Sequence, residues 1–425
     1  MAKKKGGRRR ERVDSGDERL DSTSCASTST LASLRDLENN DLQLLEDGDP
    51  FDRCIDALYE RRASTRERAL EGLVALLGIQ YLYDRAVDRQ GTLSSLAIRS
   101  VRYGSPGEAA LAARVLGLLS LTLGAGNDSE RLLEEARPVL EQASKAGKSS
   151  ALKSMAAEAL AVTAFVGVED PAVLDEVMVH LKGLWKGVAV VAAASIRSWA
   201  LLLSTLPSHR LAAPYVEASL AALAERLYSE ATEVRAAAGE AIALLYDAAG
   251  LAELEGDSGE DSGAETPLAS GGKRSPGMEE VVARMKDLAT NRGDALRRSK
   301  KSRASLRSTF RELCSSVEGG MVAESRIKLR CGDILVVDTA RGAMQLAALR
   351  RFLAEGFQAH LQHNTLLHQV FDFEPLLERE RLTAVERRLF RSPGSAASKW
   401  RTQDRNSARA ATAAYKGAMM AGGEE

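Results

Sequence analysis

Aromatic residues and cysteines are scarce in this chain of 425 residues. Aromatics make up 4% of it, and the abundance of Ala and Leu disfavours a sandwich or barrel and favours closely packed helices. Its four cysteines show no C-x-x-C spacing, which disfavours a zinc module or a disulfide framework. No apolar run reaches the ~18 residues of a membrane span, and no secretory signal follows "MAKKKGGRRRER". The sequence therefore predicts a soluble, intracellular, all-α protein.

Motifs for catalysis and cofactor binding are also missing: there is no nucleophile motif, Gly-rich phosphate loop or repeated carboxylate pair. Three histidines do cluster, at His360, His363 and His368. If 357–371 is one helix, His368 lies ~12 Å along its axis from His360, too far for ligands ~2 Å from one zinc. A break near Asn364 is the alternative that brings them closer. The sequence predicts no metal, cofactor, catalytic residue or small-molecule substrate, and therefore no enzyme.

Helical segments repeat along residues 31–250, as "TRERALEGLVALL" (65–77) and "VRAAAGEAIALLY" (234–246) show. A small residue recurs in each copy, and an aliphatic residue follows four positions later. The small residues are Ala69, Ala112, Ala156, Ala192 and Ala238, separated by 43, 44, 36 and 46 residues. These steps approach the ~40–47 residues of armadillo and HEAT units. The pattern predicts an armadillo/HEAT-like helical solenoid, and an irregular Ala-rich helical domain is the alternative.

Three segments have the composition of tails or linkers. Residues 1–30 join a basic head to a Ser/Thr-rich stretch that cannot bury enough apolar surface to order. This head fits a localisation signal, a nucleic-acid contact or a solvated tail. Residues 251–277 form an acidic Gly/Ser linker, in which Ser258 and Ser262 each precede an acidic residue by three places. Residues 374–425 read as a basic tail, helical at first and then disordered.

Basic charge concentrates in two parts of the C-terminal third. In the helical segment 278–318 it is dense enough to contact several phosphates, with a solvated helix face as the alternative. In the tail, Trp400 and Tyr415 alternate with Arg and Lys, which suits stacking and phosphate contact on RNA. A plain disordered basic tail is the alternative there. The candidate nucleic-acid or ribosome contacts are Arg297, Arg298, Lys300, Lys301, Arg303, Lys399, Trp400, Arg401, Arg405 and Arg409.

A compact C-terminal domain is predicted over 325–373. Two aliphatic runs flank Gly332 and Asp333 in "IKLRCGDILVVD" (327–338), which predicts a short β-hairpin. Asp338 and Thr339 can cap a helix that begins at Ala340. Its apolar stripe is Leu346, Leu349, Phe352, Leu353 and Phe357. The whole chain therefore reads as a solenoid followed by a small helical domain with a hairpin.

This domain resembles the C-terminal domain of the interferon-related developmental regulator family. That family has a Gln-Leu helix, a Gly before an aromatic residue or Met, an H-x-Q-x-N motif and a helix that ends in Val/Ile-Phe. The matching residues here are Gln345, Leu346, Gly356, Phe357, His360, Gln362, Asn364, Val370 and Phe371. "KKSRASLRSTFRELCSSVE" (300–318) and "LYERRASTRERALEGLVALL" (58–77) also resemble family segments. The family usually has Trp where this chain has Ala340, which predicts looser packing of the hairpin on its helix.

The resemblance implies a non-enzymatic regulator of gene expression, either a transcriptional co-regulator or a ribosome-binding repressor of translation. It also implies that His360, Gln362 and Asn364 fix a turn between two helices, with direct contact to a partner as the alternative. Our first hypothesis is ribosome- or RNA-associated regulation of translation, through the basic C-terminal segments. The second is a nuclear transcriptional scaffold that binds only proteins along its solenoid. We expect cytoplasmic and nuclear localisation, protein partners on the solenoid and no membrane association.

Overall fold

The computed structural model describes residues 49–249, 276–290, 300–319, 324–329 and 333–375. The chain divides into residues 1–53 and 54–425, and the first unit contributes only the start of helix α1 (Pro50–Ala57) to the described part. Everything that follows concerns the second unit. The predicted tail 1–30, most of the linker 251–277 and residues 376–425 of the basic tail lie outside the described residues.

Helices account for nearly all of the described chain before residue 320. They are α2 (Ala63–Ile79), α3 (Tyr83–Tyr103), α4 (Pro106–Leu123), α5 (Asn127–Ala146), α6 (Ser150–Gly167), α7 (Pro171–Gly183), α8 (Ala189–Leu203), α9 (Ala213–Leu227), α10 (Thr232–Ala248), α11 (Pro276–Thr290) and α12 (Lys300–Gly319). Several begin where a side chain accepts a backbone N–H. Ser105 accepts from Glu108 N at 3.1 Å with Pro106 in the first turn, and Ser149 accepts from Leu152 N at 3.1 Å.

Alternate helices pack side by side in two rows, which confirms the predicted helical solenoid. The inner row is α2, α4, α6, α8 and α10, each packed on the next. In the outer row, α3 packs on α5, and α7 and α9 lie against their inner-row neighbours. The two rows continue beyond the acidic linker, since α11 packs on α9 and α12 packs on α10.

The five small residues of the predicted repeat all lie in the inner row and are buried. Ala112, Ala156 and Ala238 have no exposed surface, and neither have the aliphatic residues four positions after them, Leu116, Leu160 and Ile242. A small side chain lets neighbouring helices approach, and the larger one a turn later fills the space between them. The repeat pattern therefore encodes the core of the solenoid.

Helix α4 is long and apolar enough, by length and composition alone, to cross a membrane. The search of the sequence for an uninterrupted apolar run did not detect this helix, because Glu108 and Arg114 interrupt its apolar residues. However, 72% of this helix is buried, since it packs between α2 and α6 in the inner row. It is a core helix of the solenoid.

The C-terminal part contains the predicted hairpin. Strand β1 (Ser325–Lys328) pairs antiparallel with β2 (Ile334–Val337), with Ile327 opposite Leu335. Residues 330–332, which include Gly332 of the predicted turn, lie outside the described residues, whereas Asp333 O accepts from Leu329 N at 2.8 Å. Leu335 and Val337 are buried although Ala340 replaces the family's usual Trp.

Three short helices follow the hairpin. They are α13 (Ala340–Leu353), α14 (Phe357–His363) and α15 (Thr365–Phe371), with a 3-10 turn at Ala354–Gly356. Thr339 caps α13 by accepting from Gly342 N at 3.1 Å, and the predicted apolar stripe of α13 is buried. Of the two alternatives for residues 357–371, the structure shows the break near Asn364 and not the single helix, because Asn364 is extended, with ψ at 113°. That residue separates α14 from α15.

Candidate functional site on the inner face of the solenoid

The C-terminal helices lie across the inner row, on a surface that we call the inner face. Helix α13 contacts α10 and α8, whereas α14 and the 3-10 turn contact α2. The segment therefore runs from the end of the row back to its beginning. Because the family motif lies in this segment, the inner face is where the sequence-predicted residues meet the solenoid.

Helix α13 is held on the inner row by hydrogen bonds that its own side chains and those of the row donate. Gln345 Nε2 donates to Ser204 Oγ at the end of α8, over 3.1 Å. Arg114 of α4 donates through Nη2 to Phe352 O at 3.2 Å. The Phe352 ring also fills the space above Gly117 of α4, where an added Cβ would lie 2.5 Å from Cζ. These contacts fix the position of α13 along the row.

Gly356 lies directly against the carboxyl end of α2. A Cβ added there would lie 1.5 Å from Gly78 O, so any other residue forces the two backbones apart. This close approach gives a physical reason for the Gly that precedes the aromatic Phe357 in the family motif. It also carries the next helix, α14, onto the end of α2.

His360 and Asn364 form a buried pair that we call the clasp, and neither has any exposed surface. His360 Nε2 lies 2.8 Å from Leu77 O, and Asn364 Nδ2 donates to Leu121 O at 2.8 Å. Both carbonyls belong to the last turns of inner-row helices, where backbone oxygens have no partner within the helix. The clasp therefore ties α14 to the ends of α2 and α4.

The remaining atoms of the clasp are also satisfied. Asn364 Oδ1 accepts from Leu366 N at 2.9 Å and so caps α15. His360 Nδ1 lies 3.2 Å from Asn364 Nδ2. With the His360 proton on Nε2, where it donates to Leu77 O, Nδ1 accepts from the amide and every polar atom has a partner.

Protonation of His360 would break this arrangement, because Nδ1–H would then face the Asn364 amide, another donor. Burial lowers the pKa of His360 below its ordinary value, with a smaller lowering effect from His363. The hydrogen bond to Leu77 O acts in the opposite direction and is the weaker effect. The clasp is therefore built around a neutral imidazole.

A cluster of charged residues lies under α13, in the middle of the inner face. It contains Glu158 of α6, Arg197 of α8, Glu240 of α10 and Arg351 of α13. Burial raises the pKa of Glu158 and of Glu240, and the charges of Arg351 and Arg197 partly offset that effect. Burial likewise lowers the pKa of the Arg351 guanidinium, although part of this side chain reaches solvent. A cleft of about 20 Å³ beside Glu158, Arg197 and Arg351 is large enough for about one water.

Sequence reasoning missed this cluster, although a signal for it existed. A charged residue stands two positions after the repeated small residue in several copies. These charged residues are Arg114 after Ala112, Glu158 after Ala156 and Glu240 after Ala238. A charge that recurs in register inside apolar helices indicates a shared polar face rather than core. That face is the one covered by α13.

The other motif residues lie around the clasp. Phe371 is half-buried at the end of α15, and Gln362 is half-buried on α14 and makes a contact within the protein. His363 is exposed, whereas His368 Nε2 lies 3.0 Å from Leu361 O. Within the described residues no group of three or more His, Cys, Asp or Glu is placed to hold a metal ion. Both ring nitrogens of His360 are engaged by protein atoms.

The basic residues predicted to contact nucleic acid lie elsewhere. Lys300, Lys301 and Arg303 belong to the first turn of α12, where only the backbone is described. The others lie outside the described residues: Arg297, Arg298, Lys399, Trp400, Arg401, Arg405 and Arg409. Their role as contacts stays a prediction.

Comparison with known proteins finds two family models that match this chain. The family model described as interferon-related developmental regulator matches residues 21–318, and that described as interferon-related protein conserved region matches residues 364–410. The second match starts at Asn364 in the clasp and continues into the basic tail.

Individual relatives span almost the same range. Interferon-related developmental regulator 2 of Mus musculus is 30% identical over 378 residues, which cover 84% of this chain and 80% of the relative. Interferon-related developmental regulator 1 of Homo sapiens is 26% identical over 378 residues, with 84% and 78% covered. A crystal structure of an engineered protein aligns with 64% of this chain at a TM-score of 0.40 and 14% identity, which is too distant to inform function. The family match over residues 21–318, together with the conserved-region match from Asn364 onward, establishes that this chain belongs to the interferon-related developmental regulator family.

Proposed function

We propose that this protein is a non-enzymatic regulator of translation that binds RNA or the ribosome through its two basic segments. The observation that carries the proposal is the separation of charge along the chain. The net charge is -1, yet residues 292–311 contain eight Arg and Lys against one acidic residue, Asp294. Residues 376–416 contain ten against four. Segments of this kind bind phosphate backbones by releasing condensed counterions.

The solenoid supports the first basic segment. Helix α12 begins at Lys300, within that segment, and packs on α10 and α11. Leu306, Phe310, Cys314 and Val317 are buried, whereas Arg311 is exposed. A basic segment that continues into a packed helix is held at one end of a row of helices, which reduces the entropy lost on binding an extended partner.

The second basic segment adds an aromatic residue to the cations. Trp400 stands between Lys399 and Arg401, and an indole can stack on any unpaired base. Stacking combined with phosphate contact suits single-stranded RNA more than a protein surface. The two segments together therefore favour RNA, free or within a ribosome, as the partner.

The alternative is a nuclear transcriptional scaffold that binds only proteins. What favours it is the basic head at residues 3–12, whose composition fits a localisation signal. Under either function, α13–α15 cover the inner face, so a protein partner would bind the outer row or the connections between helices. We expect the protein in both the cytoplasm and the nucleus.

Sucrose-gradient sedimentation of the tagged protein, with and without nuclease, tests the proposal. One variant reverses four charges in each segment: Arg297, Arg298, Lys300, Lys301, Lys399, Arg401, Arg405 and Arg409, each to Glu. We expect it to leave the ribosomal or RNA-bound fractions. In titrations of RNA binding, each phosphate contact contributes ~0.7–0.9 to the slope of log affinity against log salt concentration. Reversing either group of four charges should therefore lower the magnitude of that slope by about 3.

The control reverses four exposed cations on the described solenoid, Arg62, Arg102, Lys148 and Lys186. This variant should sediment like the unmodified protein. Trp400→Ala should weaken RNA binding by a further ~1–3 kcal/mol if the ring stacks on a base. A protein that never sediments with ribosomes or RNA, and whose partners survive deletion of the tail, would refute the proposal in favour of the nuclear scaffold.

A further inference from the structure

A groove of about 510 Å³ runs between α5 and the connection from α6 to α7. Its apolar lining comes from Leu133, Pro138, Val168 and Val173. Gly167, the last residue of α6, lies against the backbone of Ser129 and so brings the two helices together. The groove thus offers a fixed apolar floor on the outer side of the solenoid.

The rim of this groove is acidic, with Glu130, Glu134, Glu141, Glu169 and Asp170 along it. Arg137, the cation among its lining residues, is already bonded to Glu141 and Glu176. Asp170 caps α7 by accepting from Ala172 N at 2.8 Å.

The other three carboxylates, those of Glu130, Glu134 and Glu169, have neither an ion pair nor a hydrogen bond within the described part of the chain. An apolar floor between unpaired carboxylates fits a segment that carries both aliphatic residues and Arg or Lys.

The last described helix, α15, begins near the connection that leads into α5, one wall of this groove. Asn364 bonds to Leu121 O, and Leu366 contacts the position of Gly124, so the start of α15 lies at the carboxyl end of α4. Helix α5 begins three residues after Gly124, at Asn127. The last described residue is Pro375, four residues beyond α15. At ~3.3–3.6 Å per extended residue, ten further residues reach about 33–36 Å, slightly more than the length of about 30 Å that the 20 residues of α5 have at ~1.5 Å per residue.

The residues that follow Pro375 have the matching chemistry. "LLERERLTAVERRLFR" (376–391) places Leu382, Val385 and Leu389 at helical spacing beside five arginines. Over 376–416 the excess of Arg and Lys over acidic residues is 10 − 4 = 6. The tail thus supplies aliphatic anchors and cations in one segment.

We propose that this tail, residues 376–416, docks into the groove of its own chain and thereby competes with RNA for the same basic side chains. The RNA half of this inference rests on the proposed function, whereas the docking half does not. A tethered segment has an effective concentration on the order of 1 mM. If the groove binds it with a dissociation constant of about 0.1 mM, docking lowers the apparent RNA affinity about tenfold.

Photo-crosslinking of the full chain tests the docking directly. p-Benzoylphenylalanine is placed at Val173 in the groove or, as a control on the same helix, at Val179, which is 72% exposed and outside it. We expect peptides of 376–416 to be linked to position 173 and not to position 179. Mixing heavy- and light-isotope chains should show that the link forms within one chain. Salt should reduce its yield, since Glu134 and Glu169 are exposed and Glu130 is half-buried.

The triple variant Glu130→Gln, Glu134→Gln, Glu169→Gln removes the charge and keeps the shape of the rim. It should lose most of the crosslink at position 173. Crosslinks to another segment, to a second copy, or to nothing would overturn the docking.

RNA affinity of the same triple variant tests the competition. We expect it to bind a single-stranded RNA about tenfold more tightly than the unmodified chain. The control variant, Glu217→Gln, Glu233→Gln and Glu280→Gln, changes the net charge by the same amount at exposed positions on α9, α10 and α11. It should change the RNA affinity less than about twofold, because salt screens the effect of distant exposed charges. Equal affinities for the two variants would refute the competition. A chain that binds no RNA would refute the proposed function, and the crosslink alone would then decide the docking.

Discussion

The inner row and the layer that covers it are joined by different chemistry. Contacts between neighbouring inner-row helices are made by Ala, Leu and Ile, many of them without exposed surface. Contacts between that row and α13–α15 combine apolar packing, such as the Phe352 ring against Gly117, with the hydrogen bonds of the clasp and of Gln345 and with the charged cluster around Arg351. Apolar burial is strong and non-directional, whereas hydrogen bonds require geometry. The first builds the solenoid, and the second fixes where the C-terminal segment lies on it.

This difference predicts that the two layers have separate stabilities. Parts of a protein with fewer apolar contacts open at lower free energy than its core. The covering layer should therefore exchange amide hydrogens before the inner row does. Four experiments test this separation, from the largest expected effect to the smallest.

Asn364→Ala should have the largest effect on the covering layer. It removes the partners of Leu121 O, His360 Nδ1 and Leu366 N at a site with no solvent access. Unsatisfied buried groups cost ~1–3 kcal/mol each, so we expect α14–α15 to be destabilised by roughly 3 kcal/mol. Hydrogen exchange of 357–371 measures this. Gln369→Ala, an exposed polar change on α15, is the control, and equal exchange in the two variants would contradict a structural role for the clasp.

Ala238→Phe and Ala69→Phe should act on the inner row instead. Both side chains are buried between helices, and overpacking of this kind costs ~1–3 kcal/mol. Chemical denaturation monitored by circular dichroism gives the change in the free energy of unfolding. Ala151→Phe, at an exposed position on α6, and Ser258→Phe, outside the described residues, should both be silent. Loss of stability in these controls, or none in Ala238→Phe, would show that the repeats are misaligned.

Acid should open the clasp. The pKa of His360 is lowered by burial, so the unfolded state binds more protons than the folded state between the folded pKa and the unfolded value near 6.5. Stability from this group is full above about pH 6.5 and is lost as the pH falls through that window. We expect α14 to lose about 1 kcal/mol between pH 7 and pH 5.5, within the ~1.4 kcal/mol per pH unit that one proton allows.

Hydrogen exchange at the two pH values separates this effect from the solenoid. Burial also lowers the pKa of His180, which lies 2.8 Å from Ser144 Oγ between α5 and α7. His360→Gln should flatten the pH dependence of α14, whereas His180→Gln should leave it intact. The opposite result would place the pH-sensitive contact in the solenoid.

Gln345→Ala should have the smallest effect. The Gln345 side chain is half-buried, and Ser204 keeps its other bond, to Leu201 O at 2.6 Å. The loss should be about 0.5–1 kcal/mol, seen as faster exchange in α13 alone. Arg350→Ala, an exposed change on α13, is its control.

The sequence was sufficient for the inner row and for the hairpin. Ala112 and Leu116 recur in register with Ala156 and Leu160, and such periodicity reports local geometry directly. The two runs around Gly332 similarly predicted the paired strands. Thr339 rather than Asp338 supplies the cap of α13, a detail that two adjacent capping residues leave open.

The position of the clasp was beyond sequence reasoning. His360 and Asn364 bond to the backbone carbonyls of Leu77 and Leu121. Every residue has a backbone carbonyl, so the residue types do not show which carbonyl a distant side chain will bind. The break at Asn364 was predicted only as an alternative, because an Asn reads equally as a surface residue or as a cap. Continuation of the rows into α11 and α12 was also hidden, since the acidic linker looks like a domain boundary and the basic residues obscure the apolar positions of α12.

The bond from His360 to Leu77 joins residues 283 positions apart in the chain, and this separation has a consequence during synthesis. At ~5–20 residues per second, the ribosome needs roughly 15–60 s after making Leu77 before it makes His360. The first repeats can already pack in that time, because each inner-row helix contacts its neighbour in sequence order. Their inner face stays uncovered until the last part of translation. A nascent chain stalled before residue 357 would therefore display that face to molecular chaperones, while a finished one conceals it.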